Sequence, residues 1–523
     1  MFMGFRKGRN MSARYETIRC YLNDNMHIML ASFALAFLCY GIYLFPVYSI
    51  DSHIVFNNSV STSIYSLFEG GRFVFASLLA FLYFIGISPT SNGFVLNFVG
   101  IALIAVCQYI FYKRIFPTDA SKEVRTVCYL SSCIVFFNPF FADWFSFSET
   151  VPYYQLALML AMFSSIVLFD EKYGFIKRLL CSLLLLVFSS GIYQPAFNYF
   201  VLFSLTFIYI DMFKYLGRKA PESKPPWKKT IYKVVTAFGV YLFVAVFQLV
   251  LSLTVIGAHG RVSFSVVQGL RAVLAIQLPL WRLSTVGIDS NLYLLLFLST
   301  FVLFFIYVSR KLYLRIMRWD LPFIFLVFIS AIYTTIFIIP TITEGWFAQR
   351  LTTMFPAVLS FLAICAVTTI FHYGDLEKFN LPAYIGALLA PLVFVFVVQT
   401  ARLGIDTHKS NAQDALIIRS VNEKIIRHEN ENGVEVTNIA VKTNVDYVKW
   451  AYPGIFFMFD FNVRSAALPN RVPYMFTTWA GRNFETIDMP EEIYEEHFKG
   501  RHWNSFSNEQ FIIIDNTLYM YLY

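Results

Sequence analysis

A small set of acids and arginines stands at the edges of apolar runs, where a side chain meets water and lipid together. Asp51 lies in Tyr48-Ser49-Ile50-Asp51-Ser52-His53, directly after the first long apolar run. A carboxylate there can take a proton from a hydroxyl as a general base, or can simply be a solvated helix end. Glu69 sits in Phe68-Glu69-Gly70-Gly71-Arg72-Phe73. Its glycines permit a tight turn, and Arg72 can bind an anion or pair with Glu69. Asp143, Trp144 and Glu149 belong to the stretch Asn138 to Glu149, two acids among five aromatics from Phe140 to Phe147. Those rings are either a headgroup-level belt or a sugar-stacking platform beside a carboxylate. Tyr193 and Gln194 fall in Gly191-Ile192-Tyr193-Gln194-Pro195, a break between apolar runs. Irregular backbone at membrane depth must be buried or line a cavity, and Gln194 offers an amide to a sugar hydroxyl. Arg261, Arg271, Arg282 and Arg350 lie in loops between these runs, and Arg271 and Arg350 adjoin apolar sequence. The guanidinium fork suits a phosphate, and snorkelling to lipid phosphates is the alternative. As bases, the acids rank Asp51, then Glu149, then Glu69.

The elements carrying these residues have to be membrane helices. Of 523 residues, 57% are hydrophobic and 14% charged, and the mean hydropathy is +0.58. A soluble chain of that composition has no polar coat for its surface. Apolar runs fall at 28–49, 93–112, 126–140, 151–169, 179–193, 196–213, 231–257, 291–309, 321–340, 351–371 and 382–401, with a shorter one at 73–88. About 20 residues span a bilayer core, so 126–140 and 179–193 are marginal. Five basic residues between Arg6 and Arg19 precede the first run, which reads as an uncleaved first helix.

Charge sets the orientation. Lys214, Arg218, Lys219, Lys224, Lys228, Lys229 and Lys233 face a lone Glu222 in one loop. Further basic loops lie around Arg310 to Arg318, Lys172 to Arg178 and Lys113 to Arg125. All of them fall on the cytoplasmic side, as the positive-inside rule requires, if 73–88 lies in the outer interface rather than spanning. The count is then about eleven spans, with the N-terminus inside and the C-terminus outside. Every candidate acid and arginine above lands on the outer face.

The chain divides into a membrane domain over 1–401 and a polar, mixed-charge tail over 402–523. Within the tail, 410–428 reads as an amphipathic helix. Val434–Val441 reads as a strand, and Phe511–Tyr523 as a hairpin turning near Asn516-Thr517. The tail is expected to be a small α/β domain.

Several function classes drop out. No Walker-type loop or Rossmann glycine pattern is present, which argues against an ATP-driven pump or a cytoplasmic sugar-nucleotide site. The net charge of +8 sits in short inter-helix loops and does not suggest nucleic acid. No dense His, Cys or carboxylate cluster demands a metal, so a divalent ion remains optional. No paired repeat or mid-membrane charge marks a transporter.

Asp51, Gly71-Arg72, Asn138-Pro139 with Phe145–Glu149, Gly191–Pro195 and Gln349-Arg350, in this order and spacing, resemble the type II branch of the serotype-converting glucosyltransferases that modify bacterial O-antigen. The resemblance runs over roughly 30–400. Ser52 stands where the family often carries a second acid, and Glu149 stands where an aspartate is expected. The resemblance implies a mainly α, polytopic C-type membrane glycosyltransferase fold with its active site on the periplasmic face of the bacterial inner membrane. It implies a polyprenyl-phosphate-linked glucose donor and an O-antigen polysaccharide acceptor. On that reading Asp51, Glu149 and Glu69 are the catalytic candidates. Arg350, Arg271, Arg72 and Arg282 are candidates for the donor phosphate, and Tyr193, Gln194, Asp143 and Trp144 for sugar or acceptor. A flippase of lipid-linked sugars and an O-antigen polymerase-like protein are the alternatives.

Overall fold

Backbone groups in an apolar surrounding have only one another as partners, and the long apolar runs fold accordingly into helices. The computed structural model describes residues 26–214, 227–254, 266–276, 299, 306, 320–338, 349–372 and 381–523, apart from 46, 50, 58, 90–91, 117–119, 445 and 458–460. The helices in chain order are α1 (Met26–Leu44, closing in a 3-10 turn), α2 (Ser52–Asn57), α3 (Val60–Glu69), α4 (Phe73–Phe84), α5 (Gly93–Ile115) and α6 (Lys122–Phe136). Next come α7 (Phe140–Phe145), α8 (Val151–Leu168), α9 (Phe175–Ile192), α10 (Gln194–Phe197), α11 (Tyr199–Lys214) and α12 (Trp227–Thr254). They are followed by α13 (Val266–Ala275), α14 (Asp320–Ile336), α15 (Ala357–His372), α16 (Leu381–Asn432), α17 (Val472–Ala480) and α18 (Glu491–His497). Seven helices among the described residues are long and apolar enough to cross a membrane. The expected run at 291–309 lies outside the described residues, apart from position 299 and position 306.

The 73–88 run forms only the 12-residue α4, roughly 18 Å at 1.5 Å per residue, too short for a bilayer core. With α3 it makes a helical hairpin. Gly71 turns the corner at φ 74°, a conformation that suits glycine.

Two helix ends explain sequence signals. Asn138 closes α6: its amide donates to the carbonyls of Ile134 (3.0 Å) and Val135 (3.1 Å), and its oxygen accepts the Phe140 N–H (3.1 Å). Orphan carbonyls at a helix end need such partners. At the other break, Tyr193 is extended (φ −154°, ψ 111°) and Pro195 stands in the first turn of α10, where its missing N–H costs nothing. Gly191 is required by close approach, because a Cβ there would lie 2.7 Å from Phe73 and Val74 of α4.

The last span and the amphipathic segment after it form one helix. The helix expected over 410–428 is present but is not a separate element: α16 runs for 52 residues, ~78 Å, more than twice a bilayer core. No glycine or proline interrupts 405–432, so nothing local ends the helix where polarity changes. α16 grips α1 at Gly404, where a Cβ would meet Ile42 at 2.3 Å. Asn411 then pairs with both backbone groups of Tyr48, at 2.7 and 2.8 Å.

The tail holds a four-stranded sheet of order β2-β1-β4-β3, with β1 Asn438–Thr443, β2 Glu485–Thr486, β3 Phe511–Ile514 and β4 Thr517–Leu522. The expected hairpin is β3–β4, antiparallel and turning at Asp515 with φ 52°. β1 runs parallel to β4. The tail has its own core, in which Ile418, Val421 and Ile425 of α16 pack with Met475, Phe476 and Leu518.

Candidate active site

The segment 47–53 is held between two parts of the chain far apart in sequence. Ser148 takes the Val47 N–H and returns its hydroxyl to the Val47 carbonyl, both at 3.2 Å. Asn411 holds Tyr48 from the other side. Asp51 is thereby brought beside Glu149. Ser52, next to Asp51 in the chain, donates its hydroxyl to Glu149 at 3.3 Å (Oε1) and 3.1 Å (Oε2). Glu149 is buried. Burial pushes its carboxyl up to about 7, against hydrogen bonds from its own backbone N–H and from Ser52, and the Asp51 charge adds to the rise. Asp51 is nearly half exposed, at 46%, and its Oδ1 accepts a bond from Arg471 Nη2 at 2.9 Å. One acid is thus accessible and one enclosed, the division of environment that separates two carboxyl roles.

A second cluster adjoins the first through residues 143–149. Asp143 is buried and accepts the Arg350 backbone N–H at 2.9 Å. Trp144 donates its indole N–H to the Arg350 carbonyl, also at 2.9 Å. The Arg350 guanidinium lies over the Phe147 ring at 4.9 Å and 3.9 Å from Asp143. Trp144 is fully buried, its ring packed among Phe141, Tyr154, Tyr193 and Tyr199. Tyr193 is likewise buried and stacks on Tyr154 at 3.8 Å.

The α3–α4 hairpin inserts its tip here. Gln194 donates to the Gly70 carbonyl at 3.2 Å, and Gln248 of α12 to the Gly71 carbonyl at 2.7 Å. The Arg72 guanidinium sits 5.4 Å over the Tyr193 ring. Its Nε is buried without a hydrogen-bond partner, which leaves a donor for an anion.

The sequence candidates therefore sort by place. Asp51, Glu149, Asp143, Trp144, Tyr193, Gln194, Arg72 and Arg350 gather at one end of the bundle. Glu69 is exposed and turns to Tyr65 on its own helix. Arg271 is exposed on α13. Arg261 and Arg282 lie outside the described residues. Sequence reasoning gave no role to Ser52, His53, Gln248, Asn411 or Arg471. Ser52 was visible only as a departure from the family pattern, and Arg471 carried no local signal at all. Among the described residues, no group of three or more His, Cys, Asp or Glu is placed to hold a metal ion.

The opposite end of the bundle is basic. Lys233 pairs with Asp211 at 2.9 Å and Lys229 with Glu171 at 2.7 Å. Arg114 and Arg125 cover the rings of Phe207 and Phe116.

Helices of membrane-spanning length with acids and arginines gathered at one end of the bundle mark a helical membrane protein. The family described as Glucosyl transferase GtrII matches residues 40–367, more than half of the chain. The chain belongs to this family of glucosyl transferases. No curated protein and no solved structure matches it.

Proposed function

We propose that the protein moves glucose from a polyprenyl-phosphate donor to O-antigen repeats of lipopolysaccharide, the chemistry of serotype conversion. The observation that carries this reading is the placement of Asp51 beside the buried Glu149, which its charge reaches and to which Ser52 donates, in a glucosyl transferase chain. Arg72 and Arg350 stand at the same end of the bundle.

Asp51 is the general base. It takes the proton from the acceptor hydroxyl as that oxygen attacks C1 of glucose. The C1–O bond to phosphate breaks, and the departing polyprenyl phosphate carries the negative charge. Arg350 and Arg72 stabilise that charge, which is largest in the transition state. Glu149 adjoins the base through Ser52 and, with a carboxyl near 7, exchanges protons readily at neutral pH. A lipid-linked donor accounts for a site without a nucleotide motif.

The orientation follows from charge. The basic end, with Lys229, Lys233, Arg114 and Arg125, faces the cytoplasm of a bacterial inner membrane. The acid pair and the domain over 402–523 then face the periplasm.

Transfer from polyprenyl-phosphate glucose to an O-antigen acceptor by the purified protein in liposomes tests the reading. The expected products are glucosylated acceptor and free polyprenyl phosphate. No transfer with both substrates present contradicts it. Donor crossing the bilayer without acceptor would show a flippase, and lengthened acceptor chains would show a polymerase.

A further inference from the structure

Arg471 belongs to the C-terminal domain, 420 positions from Asp51 and beyond the matched residues 40–367. It closes the 3-10 turn Pro469–Arg471, immediately before α17. Its Nη2 holds Asp51 Oδ1 at 2.9 Å. The contact is end-on, and its Nε has no hydrogen-bond partner. An end-on contact ties down one carboxylate oxygen and leaves Oδ2 free to face a hydroxyl.

Both ends of this pair sit on fixed supports. Asn57 of α2 donates to the Tyr474 carbonyl at 3.0 Å and to the Thr478 hydroxyl at 3.2 Å. His53 Nδ1 lies 3.2 Å from the same hydroxyl, and its ring meets the edge of Trp479 at 4.6 Å. Asn411 fixes Tyr48 on the chain leading to Asp51. An exposed ion pair by itself stabilises little. Here the seam between α2 and α17 holds the domain, and the consequence of the pair is where the Asp51 oxygen points.

We propose that Arg471 is a positioning residue for Asp51, so that the C-terminal domain forms part of the catalytic centre. The proposal rests on Asp51 being the general base. Displacing a catalytic oxygen by about 1 Å costs on the order of 100-fold in rate, which sets the effect to look for.

The test uses the full chain in liposomes with the variants Arg471→Gln, Arg471→Lys, Asp51→Asn and the double variant Asp51→Asn/Arg471→Gln. Arg471→Gln should lower kcat per folded protein by ~10- to 100-fold while leaving the donor KM unchanged. Arg471→Lys keeps the charge but loses the planar fork, and should fall between wild type and the Gln variant. The double variant should be no slower than Asp51→Asn, since a base already removed needs no positioning. Arg482→Gln is the structural control, because Arg482 pairs with Glu429 at 2.6 and 2.9 Å within the tail. That change should lower the melting temperature and keep kcat. Wild-type kcat for Arg471→Lys or Arg471→Gln, with Asp51→Asn inactive, overturns this proposal alone. Multiplying losses in the double variant overturn it too. Asp51→Asn at wild-type rate removes the base assignment, and the positioning role falls with it.

Discussion

Ser52 donates its hydroxyl to Glu149, 3.1 Å from Oε2, across 97 positions of the chain. The bond gives the buried carboxyl a hydroxyl donor, as a polar group withdrawn from water requires.

Glu149 predicts a pH dependence of stability. Its folded carboxyl is raised to about 7 from an ordinary 4.5. The folded state therefore favours the protonated form, and this contribution is complete below 4.5 and lost as pH rises through 7. Glu149→Gln, which stays neutral, should remove that loss. Melting curves from pH 5 to 8 check it: the variant should gain on wild type as pH rises.

His53 predicts the opposite slope at the seam. Burial, with Arg471 second, lowers its imidazole from 6.5 to about 4. The neutral form packs against Tyr48 and Trp479, near the charged pair of Asp51 and Arg471. Stability from this group is present above 6.5 and lost as pH falls through 4. Amide protection factors over 472–480, taken relative to the intrinsic exchange rate at each pH, should fall on acidification in wild type and change less in His53→Gln.

These two groups also show what was legible in the sequence. Glu149 stood out because an acid among aromatics at the edge of an apolar run is unusual. His53 did not, because nothing in the local sequence reveals that α17 will close over it from more than 400 positions away. The long apolar helices among the described residues, the α9–α10 break and the β3–β4 hairpin were readable because each is set by local periodicity, proline or turn chemistry. The uninterrupted α16 was not, since the change from apolar to polar at 401 marks a change of surroundings and leaves the helix intact. Trp144 read as a headgroup-level belt ring or as part of a sugar-stacking platform. The structure packs it among four aromatic side chains, a property of tertiary contacts alone.

Arg350→Ala should lower turnover at least ten-fold more than Arg402→Ala. The substitution deletes the side chain, with its contacts to Phe147 and Asp143, and keeps the backbone bonds to Asp143 and Trp144. Arg402 is half exposed and lies near Asp406 on its own helix. Arg350→Lys should restore part of the rate, keeping charge without the fork. Steady-state kinetics check it, and equal effects of the two Ala variants would remove the phosphate role.

Reporter fusions at Ser223 and Arg315 should report cytoplasm, and fusions at Ser265 and Asn470 periplasm. A cytoplasmic signal at Asn470 would place the acid pair on the wrong side for a lipid-linked acceptor.

The most direct measurement is the transfer rate of Asp51→Asn with polyprenyl-phosphate glucose and O-antigen acceptor. Asn has the same size and can still accept a bond from Arg471, so the variant should insert and fold. It cannot take a proton at neutral pH, and turnover should fall by about 10²- to 10⁴-fold. Glu149→Gln, assayed beside it, should lose less. An inserted Asp51→Asn variant turning over at the wild-type rate would contradict the account, and a dead Glu149→Gln beside it would move the base to the buried acid.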